Sequence, residues 1–109
     1  MELHINKIEI LGRIGQIRVN EYNDKKVANL SVITEIFLKK QGAVISESTW
    51  HNVTAWEGPN IADLSQLQKG SLVKITGRLR NAKYTGADGT ERTYTEVLAT
   101  SLDTLPREG

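Results

Sequence analysis

Hydrophobic and polar residues alternate along most of this chain of 109 residues. From Ile5 to Ile14, the residues Ile8, Ile10, Gly12 and Ile14 fall on one face and Lys7, Glu9, Leu11 and Arg13 on the other. That period of two predicts a half-buried strand. Tyr22-Asn23-Asp24-Lys25-Lys26 is polar and turn-like. A second strand is predicted from Val27 to Phe37, with Ala28, Leu30 and Val32 facing the core. Lys39-Lys40-Gln41-Gly42 reads as a hairpin tip whose return strand runs through Ser48 to Trp56.

Gly58-Pro59-Asn60 interrupts the alternation, and Ile61, Leu64 and Leu67 follow at helical spacing. The pattern predicts a short helix. Either Asn60 caps it, with Asp63 in the first turn, or Pro59 is its first residue. Lys69-Gly70 is its stop, and so short a helix needs its apolar stripe packed on a sheet. Alternation resumes from Ser71 to Tyr84, with Val73, Ile75, Gly77 and Leu79 facing inward and Lys74, Thr76, Arg78 and Arg80 outward. Gly86-Ala87-Asp88-Gly89 is a hairpin turn, and Arg92 to Leu102 is the last strand. Three strands, a short helix and two strands is the element order of an OB-fold, a five-stranded Greek-key barrel. The fold class is therefore all-β with one short helix. One domain covers residues 1–105, with a short C-terminal end at 106–109 and neither repeats nor a linker.

Both tryptophans lie in the segment Trp50-His51-Asn52-Val53-Thr54-Ala55-Trp56. On a strand, positions 50, 52, 54 and 56 share a side, which reads Trp, Asn, Thr, Trp. The other side reads His, Val, Ala and suits a core or packed interface. Large aromatics on a polar strand face can serve as a stacking platform for the bases of a single strand. The plainer alternative is a pair of half-buried structural anchors.

Charge adds little, since 14 Lys and Arg stand against 13 Asp and Glu. A nucleic-acid partner would have to be argued from where the cations sit. Lys7, Arg13, Lys74, Arg78, Arg80 and Lys83 are candidate phosphate contacts, with Lys39 and Lys40 on the hairpin. Any one of them is also readable as a solvated surface charge, with Arg80 and Lys83 favoured because they lead to Tyr84 and Lys39-Lys40 because a basic hairpin next to Phe37 could clamp a strand. There is no cysteine, which removes disulfides, thiolate metal sites and thiol nucleophiles. His4 and His51 are the only histidines, too few for a metal centre, and neither a phosphate loop nor a spaced carboxylate pair stands out. No cofactor, no metal and no enzymatic activity are expected. No run approaches the ~18 apolar residues of a membrane span, and Met1-Glu2-Leu3-His4-Ile5-Asn6-Lys7 lacks a signal-peptide core. A cytoplasmic location is the expectation.

The chain resembles the bacterial single-stranded DNA-binding protein family. The resemblance rests on Ile5-Asn6-Lys7-Ile8 through Leu11-Gly12-Arg13-Ile14-Gly15, on Val27-Ala28-Asn29-Leu30-Ser31-Val32 and on Trp50-His51-Asn52-Val53. It continues in Lys69-Gly70-Ser71-Leu72-Val73, Gly77-Arg78-Leu79-Arg80, Asp88-Gly89 and Thr95-Glu96-Val97, in family order from about residue 5 to 103. The resemblance implies base stacking on Phe37, Trp50, Trp56 and Tyr84, sequence-independent binding in replication, recombination and repair, and assembly into a homotetramer or dimer. Leu3 and Ile5 would pair across a two-fold axis, and His51 would lie near a subunit interface with a structural role. Asn52 and Ala82 stand where the family commonly has basic residues, which implies weaker or more salt-sensitive binding. Tyr94 is displaced by one residue from a frequent family tyrosine and is left out of the expected site.

Family members usually continue into an acidic-tipped tail that recruits replication proteins, whereas this sequence stops at Leu105-Pro106-Arg107-Glu108-Gly109. The expectation is a short member, naturally tailless or truncated, without tail-mediated recruitment. A rival reading is a primosome-type accessory protein that uses the same barrel to act mainly through protein partners. A third is an OB-fold that takes a protein or sugar ligand, with binding nearly independent of salt.

Overall fold

The computed structural model describes residues 2–106. The chain end beyond Pro106, part of the predicted short end, lies outside the described residues. Five strands make up nearly all of it: β1 (Ile8–Tyr22), β2 (Lys25–Lys40), β3 (Ala43–Trp56), β4 (Leu72–Thr85) and β5 (Glu91–Thr104). They close in the order β1-β2-β3-β5-β4, with β4 returning to β1. Every neighbouring pair is antiparallel except β3 and β5. This is the OB-fold barrel that the element order predicts.

β1 serves both halves of the barrel. Its first part, Ile8 to Arg13, pairs with β4, and its second part, Arg13 to Tyr22, pairs with β2. The predicted end at Ile14 is therefore early, and the strand begins at Ile8 rather than Ile5. A register shift between Ile14 and Gln16 leaves Gly15 as an extra residue in the ladder, and bulges of this kind bend a strand around a barrel. A second shift, opposite Thr76 and Gly77, leaves Thr100 extra on β5, where its hydroxyl donates to the Thr76 carbonyl.

The predicted inward faces meet in one core. Ile10, Ile14, Ala28, Leu30, Val32, Val53, Ala55, Val73, Ile75, Val97 and Leu102 are buried together. Leu79 departs from its expected place and is 44% exposed, because β4 has by then left the barrel wall.

The predicted helix reduces to one 3-10 turn, Leu64–Gln66. Its cap is Asp63 rather than Asn60, and its first residue is Leu64 rather than Pro59. Asp63 accepts hydrogen bonds from the hydroxyl and backbone N–H of Ser65, which hold its carboxyl below the usual range. The residues before it are committed elsewhere. The Asn60 carbonyl takes the Leu102 N–H, and the Ala62 N–H donates to the Leu102 carbonyl. An extended backbone tied to β5 cannot also wind into a helix, and three apolar positions are too few to pull it off. Leu64 and Leu67 still do what the stripe predicted and bury themselves in the core.

Two hairpins run on past the barrel. The β2–β3 arm turns at Gln41-Gly42, both with positive φ, and the β4–β5 arm at 86–90, with Gly89 at φ 84°. Asp88 caps the second turn by accepting the hydroxyl and N–H of Thr90, which lowers its carboxyl pKa. These arms raise the radius of gyration to 16.1 Å, against about 13 Å for a compact chain of about 100 residues.

Candidate nucleic-acid interface

Residues directly opposite across a ladder point to the same side, so the register of β1, β2 and β3 defines an outer face row by row. The rows are Arg13–Ile33–Trp50, Gln16–Ser31–Asn52, Arg18–Asn29–Thr54 and Asn20–Val27–Trp56. The two tryptophans therefore stand at opposite ends of one face, with two polar rows between them. Thr54 keeps the predicted face but is only 6% exposed, because Glu96 of β5 covers it.

Trp50 is 59% exposed, and its ring lies against the backbone of Gly15, where an added Cβ would come within 2.3 Å of Cζ3. The bulge residue has no side chain because the indole occupies that space. Beside it, the Arg13 Nη1 donates to the Gly70 carbonyl at 3.0 Å. Trp56 is 37% exposed and packs edge-on against Tyr22, centroids 6.3 Å apart. Between them lies a groove of about 740 Å³ whose floor is the two polar rows and whose far wall is Tyr94. Under the floor, the Thr54 hydroxyl bonds Glu96 Oε2 at 2.7 Å, and the Arg80 Nε donates to Glu96 Oε1 at 2.7 Å. Glu96 is 4% exposed. A buried carboxylate is tolerable only when both oxygens are satisfied, and this one ties β3, β4 and β5 together.

The remaining predicted residues fall into separate places. Phe37 shares the outer side with Trp50 further along the β2–β3 arm, and Lys39 lies on that side too, whereas Lys40 points the other way. On the β4–β5 arm, Arg78, Arg80 and Tyr84 share one side with Tyr94 and Glu96. Lys83 is on the opposite side, beside Glu91 at 3.4 Å. Lys74 sits opposite Leu11 and Asp103, on the β1–β4–β5 part of the barrel surface. Lys7 precedes β1 and pairs with Glu9 at 3.5 Å.

The groove also contains residues the sequence reading passed over. Tyr94 packs edge-on against Tyr84, centroids 5.7 Å apart, on the side that faces the groove. The one-residue displacement that argued against Tyr94 is what puts it there. Arg18, Gln16 and Asn29 line the same groove, and the available signal was their place in the register with Trp50 and Trp56; Lys69 lines it too, from the turn before β4. His51 occupies the inward side of β3, with Nε2 2.9 Å from the Thr34 hydroxyl, and partial burial pushes its pKa below the ordinary value. No helix among the described residues is long and apolar enough to cross a membrane, and no group of three or more His, Cys, Asp or Glu is placed to hold a metal.

The model of the single-strand binding protein family matches residues 5–105. The chain belongs to that family. Curated family members include the single-stranded DNA-binding protein of Neisseria meningitidis, 33% identical over 108 residues, or 94% of this chain and 61% of that protein. Its counterpart in Xanthomonas campestris is 31% identical over 96% of this chain and 63% of that protein. The chain thus spans about three-fifths of the length of these family relatives. Among solved structures, the Plasmodium falciparum SSB in complex with ssDNA superposes with a TM-score of 0.80 at 26% identity. The overlap covers 97% of this chain and 99% of that one. A deletion mutant of the Thermus aquaticus single-stranded DNA-binding protein shares the fold, with a TM-score of 0.76 at 19% identity.

Proposed function

We propose that this protein binds single-stranded DNA without strong sequence dependence and protects it during replication, recombination and repair. The observation that carries the reading is the outer face of β1–β2–β3, where Trp50 and Trp56 lie exposed on the rows that flank the floor of one groove. Bases stack on Trp50 and Trp56, on Phe37 along one arm and on Tyr84 along the other, each worth ~1–3 kcal/mol. Arg13, Arg78, Arg80 and Lys39 accompany the backbone near these aromatics, and Lys40 adds charge from the other side of the β2–β3 arm. Lys7, Lys74 and Lys83, which lie apart from the groove, contribute through the wider field. The protein acts by mass action, coating exposed strands and performing no catalysis.

Assembly into a homotetramer or dimer belongs to the same proposal. Leu3 and Ile5 are 89% and 84% exposed in the segment before β1, and this apolar segment is suited to pairing across a two-fold axis. The rival reading, an accessory protein acting through protein partners, draws on Ile36, Leu38 and Ile45. These form an exposed apolar stripe on the side of the β2–β3 arm away from Trp50.

Tryptophan fluorescence during titration with oligo-dT at two salt concentrations tests the reading. The expected result is saturable quenching that weakens with salt by ~0.7 log units per phosphate contact per log unit of salt. Saturable binding that ignores salt, or no quenching at all, would overturn it in favour of a protein or sugar ligand.

A further inference from the structure

The β2–β3 arm leaves the barrel with a bare edge. β1 pairs with β2 only as far as Ile33, opposite Arg13, where β1 is handed over to β4. Beyond Ile33, the paired neighbour of β2 among the described residues is β3 alone. The positive-φ turn at Gln41-Gly42 closes on the Lys40–Ala43 pair. Such a turn bonds the carbonyl of its first residue to the N–H of its last, and backbone direction alternates along a strand. Ile36, Leu38 and Lys40 therefore turn their backbone groups toward β3, and Glu35, Phe37 and Lys39 turn theirs outward. Residues 35–40 are all exposed. A two-stranded ribbon with an open, partly apolar edge is a template for another strand.

The order of side chains along this edge says which strand fits. Glu35-Ile36-Phe37-Leu38-Lys39 is complementary to its own reverse. Laid antiparallel on a second copy about a two-fold axis at Phe37, Glu35 of each copy faces Lys39 of the other on the outer side. On the opposite side Ile36 faces Leu38, and the two Phe37 side chains are direct neighbours. The outward backbone groups of Glu35, Phe37 and Lys39 then meet as hydrogen-bonded pairs, about six bonds in all. Registers centred instead on Ile36 or Leu38 leave Glu35 with no cation opposite it. The other open edge of the arm offers no such match, since residues 43–52 of β3 carry Glu47 and neither lysine nor arginine.

We propose that the β2 edge at residues 35–39 docks a second copy of this chain by antiparallel strand pairing centred on Phe37. The contact is separate from the segment bearing Leu3 and Ile5. Its two-fold axis stands perpendicular to the joined sheet, so both outer faces look the same way. On the single-strand reading, the line from Trp50 to Phe37 in one copy then runs on into Phe37 and Trp50 of the next, and a bound strand passes between copies without leaving aromatic surface.

Disulfide trapping in the absence of DNA tests the pairing. Phe37→Cys puts one thiol in a chain that has no cysteine of its own. In the proposed register the two Cα atoms at position 37 lie about 5.5 Å apart, within disulfide range. Oxidised glutathione should convert the full chain carrying this substitution to a covalent dimer, read on a non-reducing gel. Adding Glu35→Lys sets like charges opposite each other at both ends of the pairing, and dimer formation should slow at least about tenfold. Adding Lys39→Glu as well should restore the rate. All three positions are exposed on the arm, outside the core. No dimer from Phe37→Cys overturns the proposal. So does a rate that ignores Glu35→Lys, or one that the second reversal fails to restore, because the thiols then meet by collision or in another register. None of these failures touches the single-strand reading, since no DNA is present. Conversely, an absence of quenching by oligo-dT overturns that reading and leaves the strand pairing as it stands.

Discussion

Trp50 and Trp56 stand on the same face of the same strand, yet the fold holds them by opposite means. Trp50 rests on bare backbone at the Gly15 bulge and keeps 59% of its surface open. Trp56 is held by a neighbouring ring, Tyr22, and keeps 37%. One end is a platform made by leaving a side chain out, and the other is made by adding one. Position in sequence would have made the two equivalent. Their neighbours, brought in from β1, make the Trp50 end the broader surface for a base and the Trp56 end the more enclosed one.

The largest effect should come from removing both ends together. The double variant Trp50→Ala, Trp56→Ala is expected to bind oligo-dT at least about thirtyfold more weakly, two stacks at ~1–3 kcal/mol each. Of the single variants, Trp50→Ala should lose more, because more of its ring is open. Tryptophan fluorescence is lost in the double variant, so a labelled oligonucleotide followed by anisotropy is the measurement. Equal losses in the two single variants would break the comparison.

Next comes the join between the two ends. Glu96→Ala removes the carboxylate that satisfies the buried Thr54 hydroxyl and Arg80, with an expected cost of about 1–3 kcal/mol and a melting temperature lower by several degrees in calorimetry. The same variant frees Arg80 toward the groove, so binding should suffer less than stability.

Gly15→Ala sharpens the contrast most directly. Its Cβ would overlap the far edge of the Trp50 indole, so the ring must swing away. We expect binding weakened about five- to tenfold, most of one stack. Stability should stay within about 1 kcal/mol, because alanine suits a strand at least as well as glycine. Titration and thermal melting of this one variant separate the two quantities.

The smallest effect concerns His51. Burial lowers its pKa in the folded protein, so the unfolded chain binds the proton more readily. Stability from this group is therefore full above the ordinary histidine pKa and is lost as pH falls through it toward the lowered folded value. A slightly lower melting temperature near pH 5 than near pH 7 is expected, and His51→Gln should flatten that difference.

The barrel was readable because core strands broadcast their faces. Ile10 and Ile14, Ala28 to Val32, and Val73 and Ile75 alternate without interruption and are all buried. The turn at Gln41-Gly42 and the one ending at Gly89 carry their own residue signals. The lengths of the arms were not readable, since a strand beyond the barrel has no core to impose a pattern. The predicted helix failed for a related reason. Its stripe is real, but backbone bonds from Asn60 and Ala62 to Leu102 compete for the same residues, and those partners lie about forty positions away. The two tryptophans could be placed on one face from alternation alone. Thr54 could not be known as buried, nor Tyr94 as a wall of the groove, because both depend on how β5 meets β3.

By itself the sequence determined which residues turn inward, where the hairpins reverse and that aromatics share the outer side of β3, because alternation and turn chemistry act over a few residues. Only the tertiary structure decided that Gly15 lies beneath Trp50, that Glu96 locks Thr54 to Arg80 and that a polar floor walled by Tyr94 lies between the tryptophans. Each of these joins residues far apart in the chain, and it is the barrel's closure and the register of its ladders that bring them within hydrogen-bond or van der Waals reach.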